Sequence, residues 1–326
     1  MMNDAAARKP RLVVIVGPTA GGKSEFAVEL AERIDGQIVN ADSMQVYRHM
    51  DAGTAKPSAE LRRRVPHHLI DIVEPTEPFT VADWVGLAEP LIETIQAAGR
   101  HPIVVGGTNL YLKALLEGMF EGPPADPAFR ATLAHVPPQE LHQRLATVDP
   151  IAAERIHPND RKRLVRALEV FALTGQPISQ WQSQWTDAEH PEPATTYRHD
   201  PILLGLDWPT LEINRRINAR VKAMFDPAAC GLAQGESLPS EVHRLESAGL
   251  LGIQARQALG YKQVIEHIAV RCTLDEAFEE TKIATRRFAK SQRTWLKRYR
   301  GVYWLPAAEK TPAELGITAA SIVTID

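Results

Sequence analysis

Apolar positions along this chain change their period in an orderly way. Residues 12–16 (LVVIV) form a short β-branched run that stops at Gly17, as a strand buried on both faces of a parallel sheet does. Residues 23–33 read as a helix, with Phe26, Leu30 and Ile34 at helical spacing. Residues 37–40 predict a second strand, ending at Ala41-Asp42-Ser43. A helix over 80–98 follows, and its start, Thr80-Val81-Ala82-Asp83, has capping-box character. Residues 103–105 predict another strand, broken by Gly106-Gly107. Strands alternating with helices predict a doubly wound α/β core.

From about residue 122 the pattern shifts. Pro123, Pro124, Pro127, Pro137 and Pro138 punctuate the chain, and apolar positions then keep helical spacing as far as Trp185. A loop rich in Pro, Thr and His (187–201) precedes a strand at 202–206, and residues 209–300 are mostly helical. The expected organisation is a core in two parts, 1–124 and 201–326, with a helical insertion at 125–200. No internal repeat is visible.

Composition narrows the class. With 326 residues, 44% hydrophobic and 24% charged, the chain is ordinary for a globular protein. Cys230 and Cys272 lie far apart with no CxxC spacing, which predicts reduced thiols in an intracellular protein. No signal-peptide segment opens the sequence, and no stretch approaches the roughly 20 apolar residues of a membrane span. The expectation is a soluble cytoplasmic protein with no membrane partner. The eleven histidines are scattered, and His67-His68 is not a zinc spacing.

The strongest local motif is Gly17-Pro18-Thr19-Ala20-Gly21-Gly22-Lys23-Ser24, which matches G-x-x-x-x-G-K-[ST] between a predicted strand and a predicted helix. Its glycines let backbone N–H groups converge on phosphate oxygens, and the helix N-terminus adds positive potential. Lys23 supplies a point charge, and Ser24 is a candidate ligand for Mg²⁺. The motif recognises a diphosphate or triphosphate, not a nucleoside.

The acid that usually accompanies such a loop is missing after the strand at 103–105, which ends in Gly106-Gly107-Thr108. Asp71 is a weak substitute. Asp42 follows a strand and should share a crevice with Thr108 and the P-loop, since parallel strands present their C-terminal ends on one edge. On position alone, Asp42 reads equally as a turn residue or as a functional carboxylate. In the helix after Pro209, Arg220 falls inside the apolar stripe of Ile213, Ile217, Val221 and Met224. A buried arginine needs an anion, either a structural carboxylate or a ligand phosphate, and the neighbouring Arg216 favours the phosphate.

A net charge of -3 argues against a nucleic-acid partner only until its distribution is considered. Residues 281–300 carry Lys282, Arg286, Arg287, Lys290, Arg293, Lys297, Arg298 and Arg300 and no acid. As a helix, this segment would dock through Ala284, Phe288, Ser291, Trp295 and Tyr299 and present Arg286, Lys290, Arg293 and Lys297 outward. Arg161-Lys162-Arg163 with Arg166 forms a second cluster in the insertion, over an inward face of Leu164, Leu168 and Phe171. Two basic patches suit a polyanion spanning both parts.

Together these segments resemble the tRNA dimethylallyltransferases (tRNA isopentenyltransferases). The resemblance is carried by GPTAGGKS at 17–24, NADSMQVYRHMDAGTAKP at 40–57, VGGTNLYLKALLEG at 105–118 and RIHPNDRKRLVRALEV at 155–170. It continues with RRINARV at 215–221, LGYKQ at 259–263 and TRRFAKSQRTWLKR at 285–298. Ser291 departs from the family pattern, as does Gln257, and residues 230–240 read as a small insertion.

The resemblance implies a P-loop NTPase-like parallel sheet with an inserted helical domain. It implies transfer of a dimethylallyl group from dimethylallyl diphosphate to the exocyclic N6 amine of the adenine 3′ of the tRNA anticodon, with Mg²⁺ as cofactor and a monomeric enzyme. Asp42 would be the base, with Thr108 and Arg220 beside the reacting centre. RNA contacts would come from Asp42, Ser43, Met44, Gln45, Thr108 and Arg130. Further contacts are implied for Lys162, Arg163, Leu164, Val165 and Arg166, and for Gln257, Gly260, Tyr261 and Lys262. The competing readings are a P-loop small-molecule kinase, an adenylate isopentenyltransferase acting on free nucleotides, and a non-catalytic RNA-binding protein.

Overall fold

The β-branched runs assemble into one parallel sheet. In a computed structural model that describes residues 9–119, 122–181, 197–230 and 236–325, its strands are β1 (Val13–Val16), β2 (Gly36–Asn40), β3 (His67–His68), β4 (His101–Val105), β5 (Ile202–Asp207) and β6 (Val302–Pro306). They lie in the order β3-β2-β4-β1-β5-β6. Every pairing is parallel, with Val13 opposite Ile103 on one side and Ile202 on the other. Within the first part run α1 (Lys23–Arg33), α2 (Ala59–Arg64), α3 (Val81–Ala97) and α4 (Asn109–Glu117). After β5 come α10 (Thr210–Phe225), α11 (Leu238–Ser247), α12 (Tyr261–Ile268) and α13 (Leu274–Leu296), and α14 (Pro312–Ile325) follows β6. Numbers α5 to α9 belong to a separate unit: Pro127–Thr132, Pro138–Val148, Pro150–Arg155, Arg161–Thr174 and Ile178–Trp181.

Helices cover both faces of the sheet because strand side chains alternate. Val14, Val39, Val104 and Leu203 face a core with Trp84 of α3, Leu112 of α4 and Tyr261 of α12. Val13, Ile15, Ile103 and Leu204 face the other way, onto Phe26 and Leu30 of α1 and Leu315 and Ala319 of α14. The expected capping box of α3 is present: Thr80 Oγ1 accepts from Asp83 N, and Asp83 Oδ2 accepts from Thr80 N at 2.8 Å. Two strands carry no clear sequence signal. β3 has only two residues, and β6 is an edge strand that leaves Tyr303 and Trp304 more than two-fifths exposed.

The chain divides into two compact units, one of residues 1–116 with 196–326, the other of residues 117–195. The second has its own core of Leu141, Leu145, Leu164, Leu168 and Val170. Within it, Glu169 is fully buried and binds Arg130 at 2.7 and 2.8 Å, Arg166 at 2.6 Å and the Asp126 N–H at 2.8 Å. Burial alone would raise its carboxyl, but the hydrogen bonds from Arg130 and Arg166 bring it down to about 2. The loop expected at 187–201 lies largely outside the described residues, as does the middle of the 230–240 segment. Among the described residues, no helix is long and apolar enough to cross a membrane.

One prediction needs correction. The buried stripe of α13 is Ala277, Thr281, Thr285, Ala289, Gln292 and Leu296, not the stripe of Ala284, Phe288, Ser291 and Trp295. Of the expected docking residues only Tyr299 is buried. Thr281 and Thr285 bury readily because their hydroxyls donate to the carbonyls one turn back, at 2.7 Å each. Polar residues on the packed face therefore hid its phase.

A second buried carboxylate holds the loop between β2 and α2. Glu241 of α11 accepts from the N–H groups of Asp51 and Ala52 at 2.8 Å and of Gly53 at 3.4 Å, and from the Tyr261 hydroxyl. Glu241→Ala strands these buried donors. It should lower unfolding free energy by about 3 kcal/mol or more, read as a drop in the urea midpoint, with Glu241→Gln losing less.

Candidate active site

The P-loop leaves β1 at Val16 and enters α1 at Lys23. Gly22, its N-cap, takes φ 79°, a left-handed conformation that glycine adopts without a Cβ penalty. Lys23 folds back onto the loop, donating to the carbonyls of Gly17 at 3.1 Å and Pro18 at 3.0 Å. Burial, against the opposing pull of Asp42 and with the nearby Arg220 adding to it, brings its ammonium down from 10.5 to about 8.

The ends of β2 and β4 are pressed together beside this loop. A Cβ on Gly106 would stand 2.1 Å from the Ala41 carbonyl oxygen, so only glycine fits there. The Ala41 carbonyl accepts from the Thr108 N–H at 3.2 Å, and the Thr108 hydroxyl accepts from the Ser43 N–H at 2.9 Å and donates to Ser43 Oγ at 3.1 Å. Thr108 thereby fixes the turn that carries Asp42. Asp42 Oδ1 accepts from the N–H of Met44 at 2.9 Å and of Gln45 at 3.4 Å. Among the described residues Oδ2 has no hydrogen-bond partner, and Asp42 lines the cavity above the P-loop. Both readings of Asp42 hold at once: one oxygen makes the turn and the other faces the site.

Arg220 reaches the same point from α10. It donates to Thr19 Oγ1 at 3.2 Å and to the Thr54 carbonyl at 3.4 Å, and its Nε is buried with no partner. No structural carboxylate pairs with it among the described residues. Arg216 stacks 4.6 Å over Trp208 and donates to the Ala20 carbonyl at 2.8 Å, bracing the P-loop from outside. Asp71 is engaged by Lys56 at 2.5 Å and Arg62 at 2.7 Å, which removes it as a metal acid.

Gln292 escaped sequence reasoning. It is 1% exposed, accepts from the Thr19 N–H at 2.8 Å and donates to the Gly107 carbonyl at 2.9 Å, tying the P-loop to the end of β4. The signal existed in the chain: a polar residue at helical spacing from Ala289 and Leu296, the same cue that exposed Arg220.

Two cavities open on this cluster. One, of about 630 Å³, is lined by the P-loop from Thr19 to Ser24 and by Ile38, Gln45, Val105 and Gln292. The other, of about 360 Å³, is lined by Ser43, Met44, Thr108, Met224, Gln257, Leu259, Thr281 and Thr285. Thr19, Asp42, Arg220 and Phe288 line both. These four form the waist where a molecule from one side would meet a molecule from the other. No group of three or more His, Cys, Asp or Glu able to hold a metal occurs among the described residues. The Ser24 hydroxyl, on the first cavity, matches the one or two protein ligands Mg²⁺ takes when a phosphate supplies the rest.

The expected RNA residues divide sharply. Leu164 and Tyr261 are fully buried, Leu164 in the helical core and Tyr261 on Glu241, so neither presents its side chain to a nucleic acid. Arg130 and Arg166 serve Glu169, and Arg161 caps the carbonyls around Leu133 and Val136. Val165 packs half-buried on the same core, and Gly260 starts α12, its N–H held by Gln263 at 2.9 Å. Lys162, Arg163, Gln257 and Lys262 are exposed. On α13, Lys290 and Lys297 are exposed, while Arg286 is half-buried and so is Arg293, which donates to Thr210 at 2.6 Å.

A family model described as IPP transferase matches residues 45–299, and one described as isopentenyl transferase matches residues 10–69. A protein of Geobacter sulfurreducens named tRNA dimethylallyltransferase is 47% identical over 93% of this chain and 94% of its own length. One of the same name from Anaeromyxobacter dehalogenans is 46% identical over 90% and 92%. Among solved structures, a tRNA isopentenylpyrophosphate transferase of Bacillus halodurans aligns with a TM-score of 0.69 at 37% identity, covering 97% of this chain and 98% of its own. A eukaryotic dimethylallyltransferase acting on tRNA aligns with a TM-score of 0.76 at 27% identity, over 97% and 79%. The chain belongs to the IPP transferase family.

Proposed function

We propose that this protein transfers the dimethylallyl group of dimethylallyl diphosphate to the exocyclic N6 amine of an adenine in tRNA, the one 3′ of the anticodon, and releases diphosphate. The carrying observation is the pair of cavities that meet at Thr19, Asp42, Arg220 and Phe288, with the phosphate loop from Ala20 to Ser24 lining only the first. The diphosphate lies on the P-loop, facing Lys23 and the unpartnered Nε of Arg220. The adenine leaves its stack and enters through the second cavity, past Met44, Gln257 and Met224.

The amine is a weak nucleophile because its lone pair is delocalised into the ring. Transfer therefore depends on departure of the diphosphate. The C1–O bond breaks with its electron pair going to the bridging oxygen, the N6 lone pair forms the new C–N bond, and the N6 proton passes to Asp42 Oδ2. Thr108 keeps Asp42 aimed by holding its turn. Ser24 would hold Mg²⁺ beside the diphosphate, where the ion would supply charge neutralisation to the leaving group. Lys162, Arg163, Lys262 and the outer cations of α13 track the RNA backbone.

Three outcomes test this reading. Labelled dimethylallyl diphosphate with Mg²⁺ and unmodified tRNA, without ATP, should yield labelled tRNA. Asp42→Ala should cut the rate roughly 10²–10⁴-fold; phosphate transfer from ATP instead would make the protein a kinase. The pH dependence follows from Lys23, whose lowered value leaves it charged below about 8 and neutral above. Calorimetric affinity for dimethylallyl diphosphate should thus be full at neutral pH and weaken as pH rises through about 8. Lys23→Arg should flatten that profile. Replacing Lys290 and Lys297 together by alanine should weaken anticodon stem-loop binding and reduce its log–log salt slope by about 2. Affinity for the diphosphate should not change.

A further inference from the structure

At the waist, three of the four shared residues already have partners in the proposed transfer. Arg220 and the Thr19 hydroxyl it binds face the diphosphate, and Asp42 faces the amine. The carbon between leaving oxygen and incoming nitrogen is left with Phe288. This ring flanks the buried stripe of α13, one turn from Thr285, which lines the second cavity, and one turn from Gln292, which lines the first. Among the described residues it is the only hydrophobic side chain common to both cavities, and about 40% of its surface is open. Its helix neighbours Ala289 and Leu296, by contrast, are turned into the core, at 2% and 3% exposure.

We propose that Phe288 is a catalytic residue whose ring lies against the reacting allylic carbon, stabilises the positive charge that develops there and keeps water from it. The role rests on the prenyl transfer proposed above. As the C1–O bond breaks, C1 and its conjugated tertiary carbon share a charge that no carboxylate can meet without being alkylated. An aromatic face offers negative potential without a nucleophilic lone pair. Displacement of water matters equally, since a water at C1 would take the allyl group and give 3-methylbut-2-en-1-ol, its proton lost to solvent.

The test is the single-turnover rate of transfer to an anticodon stem-loop, with the ring altered in two ways. Replacement of Phe288 by 4-fluoro-, 3,5-difluoro- and 3,4,5-trifluorophenylalanine keeps its shape while draining the ring face. The rate should fall stepwise, by roughly 10-fold across the series, with affinities for dimethylallyl diphosphate and RNA unchanged. Phe288→Leu should show a loss of similar size and release 3-methylbut-2-en-1-ol, whereas Phe288→Tyr should retain most of the rate. A flat fluorine series on an active protein overturns the role and leaves the transferase reading standing. A wild-type protein that forms no prenylated RNA overturns both.

Discussion

The approach of β4 to the end of β2, where Gly106 leaves no room for even a methyl group beside the Ala41 carbonyl, decides where the chemistry sits. It brings the Thr108 N–H onto that carbonyl, and Thr108 in turn pins Ser43 and the Asp42 turn. A bulkier residue at 106 would part the two strand ends, and Asp42 and Thr108 would no longer share one edge with the P-loop. Gln292 spans the remaining gap by holding Thr19 on one side and Gly107 on the other. The site is thus a set of backbone turns locked by side chains, which suits a reaction that depends on holding two reactants in line.

Charge is handled differently in scaffold and site. Glu169 and Glu241 are buried and saturated with donors, the first by two arginines and a backbone amide, the second by three consecutive amides and a tyrosine. Such carboxylates specify local geometry because every lone pair is assigned. At the waist the pattern reverses: Arg220 Nε is buried without a partner among the described residues, and Asp42 Oδ2 beside it accepts no hydrogen bond. Groups left unsatisfied in a folded protein are costly, and their convergence on one cavity marks it as a place for a ligand.

Much of this was legible in the chain because burial on both faces writes short apolar runs at 12–16, 38–39 and 103–105, and a capping box writes the start of α3. The P-loop, Asp42 and Thr108 could be placed on one edge from the parallel-sheet rule, and Arg220 was exposed by its place in the apolar stripe of α10. β3 and β6 stayed hidden, since a two-residue strand and an exposed edge need no apolar run. The phase of α13 was misread because its packed face is built from threonines and a glutamine. Whether a basic residue faces RNA or a buried carboxylate, as Arg130 and Arg166 do, depends on a tertiary partner that no local pattern reveals.

The strand that carries the phosphate loop has an unusual place in the order of synthesis. Val13 of β1 pairs with Ile103 on one side but with Ile202 on the other. Until β5 emerges from the ribosome, one edge of the most buried strand has nothing to bond with. The residues made in that interval form their own contiguous core from Leu133 to Ile178, and such a unit can fold before the sheet closes. Long-range pairing of this kind is slow to form, so the nascent chain carries an open, β-branched edge through the longest stretch of its translation. An unpaired edge of that kind is what makes partly folded chains prone to aggregate.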